Sequence, residues 1–274
     1  MKGLMENIDG AVAYIKSKVD SKPTIGIILG TGLGKFAEGI SQKKVLDYSE
    51  IPHFVLPTVE AHSGKLVFGK VGDKNIVAME GRFHYYEGYS MQEITFPVRV
   101  MKGLGVEILI VSNAGGGMNP DFELGEIVII NDHINLLPDN PLRGLNDNRL
   151  GIRFPDMSEP YDRKLIKLAE EAASQEKIRV KKGVLTAVSG PNLETAAEYR
   201  FLRMIGADMV CMSTVPEVIV AVHAGLRVFG VTVITDRCIP DSLKPANLQE
   251  ILKIAREAEP KLAKFLARFI KAVK

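Results

Sequence analysis

The chain has 274 residues, 46% apolar and 25% charged, enough to bury a core without disulfides or a structural metal. Its 35 basic and 33 acidic residues leave a formal charge of +2, which argues against nucleic acid or a membrane surface as partner, so a charged ligand must be held locally. No apolar run reaches the roughly 18 residues of a membrane span. The N-terminal segment lacks signal-peptide features, and two cysteines, Cys211 and Cys238, fit a reducing compartment. The expected location is the cytoplasm.

Met5, Ile8, Val12, Ile15 and Val19 recur at helical spacing, so an amphipathic helix opens the chain and Pro23 closes that region. Strands are expected at 24–29, 66–71, 76–79, 107–112, 127–130, 184–188 and 227–234. Gly72-Asp73-Lys74 should turn a hairpin between two of them. Helical patterns occupy 91–104, 163–174, 195–205, 216–224 and about 246–273, the last kinked or broken at Pro260. Alternating strands and helices imply an α/β fold, and the hairpin makes the sheet mixed. Without repeats or a linker the chain reads as a single domain, 1–274. Segment 136–160 is a proline- and glycine-bearing loop, long enough to be functional.

Four segments join glycines or charges to strand ends. Gly30-Thr31-Gly32-Leu33-Gly34 either cradles an anion with backbone N–H groups or is a plain tight turn. In the segment from Gly81 to Tyr89, an extended backbone would put Arg82, His84 and Tyr86 on one side, as a ligand-binding set or as an aromatic cap over the core. Asn113-Ala114-Gly115-Gly116-Gly117 lets a flat ligand approach the backbone, or is a flexible turn. Glu194 and Asp236 follow two further strands; each has an ordinary alternative, a helix cap for Glu194 and an ion pair with Arg237 for Asp236. The five histidines show no metal-ligand spacing, and no serine-hydrolase elbow is present.

Together these segments, with Met212-Ser213-Thr214-Val215-Pro216-Glu217 and Phe154-Pro155-Asp156-Met157-Ser158, closely resemble the trimeric purine nucleoside phosphorylases. The matches run in order from about Pro23 to the last helix. The resemblance implies a single-domain nucleoside phosphorylase fold, α/β, with a mixed barrel-like sheet surrounded by helices. It implies phosphorolysis of purine (2′-deoxy)ribonucleosides to free base and (deoxy)ribose 1-phosphate in purine salvage. Inorganic phosphate is then a co-substrate, and no metal or organic cofactor is needed.

By the same match, Thr31, His62, Arg82, His84, Ala114 and Ser213 hold phosphate. Tyr86, Met212 and Leu248 face the ribose, with Phe154 reaching the site of a neighbouring subunit in a homotrimer. Ala114, Gly115, Leu193, Glu194, Val210, Thr235 and Asp236 surround the base. His84, Glu194 and Asp236 are the residues expected to carry catalysis.

This sequence departs from the family pattern at four of these positions. Thr31 replaces a serine and keeps the hydroxyl, whereas Leu193 replaces a stacking phenylalanine. Asp236 stands where 6-oxopurine-specific members carry asparagine; ionised, it repels O6 and accepts from a 6-amino group, and protonated it can donate to N7. Leu248 stands where many members place a histidine against the ribose 5′-hydroxyl, and favours an apolar 5′ substituent. Activity on adenosine beside inosine and guanosine is therefore expected, with a 5′-methylthioadenosine phosphorylase as the alternative. A non-catalytic nucleoside binder, a uridine phosphorylase and a hydrolytic nucleosidase fit less well, because the phosphate set is intact.

Overall fold

The computed structural model describes residues 3–30, 34–59 and 63–274, the Lys35 side chain apart. Helix α1 (Leu4–Lys18) buries Ile8, Ala11 and Ile15 on one stripe. Strand β1 (Ile25–Leu29) is buried at all five positions, as expected of a strand with neighbours on both edges and layers on both faces. It runs parallel to β4 (Lys74–Glu80) on one side and β5 (Ile108–Gly117) on the other. The β3 (Lys65–Val71) to β4 hairpin turns through Gly72 at φ +64°, a conformation that glycine adopts without steric cost.

The sheet order is β2 (Ser41–Asp47), β3, β4, β1, β5, β8 (Met209–Cys211), β7 (Val180–Ala187), β6 (Ile127–Asn135), β9 (Arg227–Arg237), and β9 pairs back onto β5. That closure joins β5, β8, β7, β6 and β9 into a barrel, with β1 to β4 as an extension. The mixed, barrel-like sheet anticipated above is therefore present. Helix α2 (Met91–Leu104) packs against α1 and α5 (Val215–His223), and α3 (Arg163–Gln175) against α6 (Leu248–Ala272). Phe229 of β9 meets Phe265 and Phe269 of α6 at ring-centroid distances of 6.2 and 4.5 Å. Buried aromatics of this kind contribute on the order of 2–3 kcal/mol each through apolar area removed from water.

Several expectations are corrected. Strand β2 (Ser41–Asp47) was missed because it is an exposed edge with only one buried side chain, so it carries no apolar alternation. Strand β8 has only three residues, too few for a pattern. The glycines of 115–117 do not form a turn after β5; they are its last residues. Asp236 likewise lies within β9. Helix α6 runs through Pro260 without a break. Helix α4 (Ala196–Met204) is capped by Thr195, which accepts from the Glu198 N–H in a reciprocal capping box, so Glu194 is not the cap.

Because β1, β4, β5 and β9 are parallel, their carboxyl ends share one edge, where open α/β sheets place ligand crevices. The β5–β9 register slips between Gly115 and Gly116, which pair with Ile234 and Asp236. A bulge of this kind re-aims side chains beside a site.

Candidate active site

A cavity of about 520 Å³ opens at that edge. At one end Arg82, only 2% exposed, leaves the end of β4 and crosses beneath the cavity floor. Its Nη1 donates to Ser213 Oγ at 3.0 Å and Thr214 Oγ1 at 2.9 Å, and lies 3.5 Å from Glu217 Oε1. Its Nη2 donates to the carbonyls of Ile28 and Ser112. Nε is buried without a hydrogen-bond partner among the described residues. One guanidinium thus ties the end of β1 and the middle of β5 to the start of α5. Glu217 compensates its charge inside the protein, as a buried cation requires.

Thr214 sits at φ +71°, ψ −53°, and the Val215 N–H donates to the Ser213 carbonyl at 2.8 Å, which makes a strained γ-turn. The Thr214 hydroxyl also accepts from Asn113 Nδ2 at 3.0 Å. These bonds hold the turn in place, and the turn presents Ser213 to the cavity. Gly30 lies against this arrangement: a Cβ there would fall 2.7 Å from Asn113 Cα, so only glycine lets β1 approach β5 so closely.

His84 follows Arg82 into the same end and stacks on Tyr86 at 4.7 Å. Glu87 holds the ring through Nδ1 at 2.9 Å and also accepts from the His84 N–H and from the Thr58 N–H and hydroxyl. Burial opposes ionisation of Glu87, but the hydrogen bonds from His84 and Thr58 outweigh it and pull its carboxyl down to about 2. An ionised Glu87 keeps the Nδ1 proton on His84 and fixes the ring's orientation. Tyr86, by burial and then by the nearby Glu87 charge, is raised to about 12 and stays a neutral hydroxyl.

At the other end Glu194 and Asp236 face the cavity with Leu193, Val210, Thr235 and Gly115. Burial raises the Glu194 carboxyl against the hydrogen bond from Tyr199, and the Asp236 and Glu198 charges add to the rise. Asp236 accepts from Thr235 Oγ1 at 3.1 Å and from the Cys238 thiol at 3.0 Å. Arg237 donates to the Pro120 carbonyl, and the alternative considered for Asp236, an ion pair with Arg237, is not among the described ion pairs. Between the two ends, Tyr86, Ala114, Met212 and Leu248 line the middle. Leu248, 65% exposed, stands at the rim on the first turn of α6.

The fold therefore gathers Arg82, His84, Ala114, Ser213, Tyr86, Met212, Leu248, Gly115, Leu193, Glu194, Val210, Thr235 and Asp236 around one cavity. Thr31 and His62 lie outside the described residues. Phe154 lies apart, 83% exposed, in a separate groove with Arg143 and His133. Among the described residues no cluster of three His, Cys, Asp or Glu side chains is placed to hold a metal ion.

The phosphorylase superfamily model matches residues 24–271. Purine nucleoside phosphorylase 1 of Bacillus subtilis is 49% identical over 99% of this chain and 97% of its own length. Among solved structures, Schistosoma mansoni purine nucleoside phosphorylase in complex with adenosine superposes with a TM-score of 0.94 at 41% identity, covering 98% of each chain. The same enzyme in complex with inosine gives a TM-score of 0.94 at 40% identity, over 98% of this chain and 97% of that one. This chain belongs to the phosphorylase superfamily, among its purine nucleoside phosphorylases.

Within this phosphorylase, sequence reasoning passed over residues that act through others. Glu87 was legible as the i+3 partner of His84. Thr214 and Glu217 lay inside a quoted motif, but nothing in their order shows that both converge on Arg82, 132 residues away in the case of Thr214. Tyr199 and Cys238 are buried together behind the base end, and the Cys238 thiol also donates to Asp236.

Proposed function

We propose that this chain transfers the pentosyl group of purine ribonucleosides and 2′-deoxyribonucleosides to inorganic phosphate, and that adenosine is a substrate beside inosine and guanosine. The observation that carries the reading is one cavity with a cationic, hydroxyl-bearing end at Arg82, His84 and Ser213 and a two-carboxylate end at Glu194 and Asp236. Phosphate is already a nucleophile and needs positioning rather than deprotonation. Arg82, the His84 ring and the Ser213 hydroxyl are its positioning groups, with Thr31 and His62 added by the family match. As the glycosidic bond breaks, the sugar gains positive and the purine negative character. A donor at N7 stabilises the departing base, and Glu194, accepting from N1–H of a 6-oxopurine, holds it in place. No step requires a metal or organic cofactor.

The relatives named above act on purine nucleosides by name, and one is solved with adenosine and with inosine. That favours a purine nucleoside phosphorylase over a 5′-methylthioadenosine phosphorylase. The exposed Phe154, lying outside its own cavity, supports a homotrimer in which it completes a neighbour's ribose site. Two buried free thiols accord with a cytoplasmic setting, and pentosyl transfer from purine nucleosides fits a role in purine salvage.

Ribose 1-phosphate formation and kcat/KM measured with phosphate for inosine, adenosine and 5′-methylthioadenosine test the reading. Inosine and adenosine should be turned over comparably, and Asp236→Asn should shift preference towards inosine. A strong wild-type preference for inosine sinks the adenosine assignment. A preference for 5′-methylthioadenosine restores the alternative.

A further inference from the structure

A second cavity, of about 880 Å³, adjoins the base end of the first. Leu193, Glu194, Thr235, Asp236, Ala246 and Ile251 line both. Beyond them the second is walled by Leu124, Leu243, Pro245 and Ile254, with the exposed Arg237, Lys244 and Glu250 among its other residues. The groups that would hold phosphate, ribose and base all lie in the first cavity, so the reading above leaves the second unused.

Large apolar side chains left to water gather here. Leu124 and Leu243 of the second cavity, Leu193 of both and Leu248 of the first are 48, 37, 45 and 65% exposed. Single exposed leucines need no explanation, but four around one pair of carboxylates mark a surface that a ligand covers. With N1 of the purine at Glu194 and N7 at Asp236, the exocyclic group at position 6 points between the two, at the wall that both cavities share. Ala246 contributes only a methyl group to that wall.

We propose that the second cavity receives a substituent on the exocyclic nitrogen, so that adenosines carrying one bulky apolar N6 group are substrates beside adenosine itself. This rests on the purine reading above, and on its adenosine part in particular. A singly substituted amine keeps one N–H for Asp236 to accept and leaves N1 bare, as in adenosine. Leu124, Leu243, Pro245 and Ile254 offer the substituent apolar area to cover. Arg237 and Lys244 stand against Glu250, Glu194 and Asp236, so no single sign of charge selects an ionic substituent. The bond changes are those of the parent reaction. A phosphate oxygen bonds to C1′, the C1′–N9 bond breaks with its electron pair going to the purine, and the proton that hydrogen phosphate gives up ends on the base.

N6-benzyladenosine is the probe, with inosine and adenosine as references and release of N6-benzyladenine and ribose 1-phosphate as the readout. Its kcat/KM should lie within about tenfold of that for adenosine. A closed wall would reject a whole ring by more than about a hundredfold, since one misfitting methylene already costs about 10–200-fold. Leu124→Trp and Leu243→Trp fill the second cavity from residues that do not line the first. They stand on separate loops, before β6 and after β9, so a folding fault in one is not shared by the other. Each should lower kcat/KM for N6-benzyladenosine by about tenfold or more and leave adenosine and inosine within about twofold of wild type. Adenosine turnover with N6-benzyladenosine rejected overturns this inference alone, as do filled variants that cleave N6-benzyladenosine as well as the wild type does. Inosine turnover without adenosine turnover overturns the adenosine assignment and this inference with it.

Discussion

Arg82 shows how one side chain serves fold and site together. Its guanidinium is buried against Glu217, two hydroxyls and two carbonyls, and those bonds hold Thr214 in a γ-turn that a threonine adopts only under constraint. Removing the cation leaves Glu217 as an uncompensated buried charge. Arg82→Met should therefore destabilise the chain by about 3–5 kcal/mol in denaturant unfolding, besides weakening phosphate use. Arg82→Met with Glu217→Gln should recover a large part of that stability but not the activity. A double variant no more stable than the single one would show that the ion pair is not the source of the loss. His84 depends on Glu87 in a similar way, because the low-lying Glu87 carboxylate lies 2.9 Å from Nδ1 and orients the ring.

Among the elements, the pairing of β5 with β9 decides the geometry of the base end. The slip between Gly115 and Gly116 sets Thr235 and Asp236 at the cavity, and the glycines keep β5 free of side chains where Val210, Asp236 and Cys238 approach. Gly116→Ala forces a methyl group against the Cys238 thiol. The expected cost is about 1–3 kcal/mol of overpacking. Nucleoside KM should rise while phosphate KM stays near the wild-type value, because Arg82, His84 and Ser213 are positioned by β4 and α5. An equal rise in both would show that the distortion travels along the whole edge. Helix α6 belongs to the same end: Asn247 caps it by accepting from the Gln249 and Glu250 N–H groups, which orients Leu248 and Ile251 at the cavity.

For the whole molecule, Phe154 is an exposed aromatic that a single chain leaves unexplained. It is 83% exposed on a loop braced by Arg153, which donates to the Leu142 and Gly144 carbonyls and lies 5.6 Å from the Phe154 ring. In the proposed trimer it closes a neighbour's ribose pocket. Phe154→Ala should then raise nucleoside KM without lowering Tm. Mixed with the Asp236→Ala chain after mild dissociation, it should regain activity, since each parent supplies what the other lacks. Sedimentation of the mixture checks that mixed oligomers form; mixed oligomers without regained activity would place Phe154 outside the shared site.

By itself the sequence determined the α/β class and most of the strands and helices, and through the family resemblance it named many, not all, of the residues that line the cavity. Strand cores such as 25–29 are continuous apolar runs, and site motifs are local strings that survive being read in one dimension. Only the tertiary structure decided how those strings meet. The polar edge strand β2 and the three-residue β8 have no local pattern because their pairing energy comes from partners distant in sequence. The glycines of 115–117 read as a turn because local propensity favours one, but in the barrel all three pair with β9, and Gly116 and Gly117 with β8 as well, so close approach rather than flexibility explains them. The contacts of Arg82 with Glu217 and of Cys238 with Asp236 were out of reach for related reasons. Burial creates the demand for a partner, and burial is a property of the folded chain.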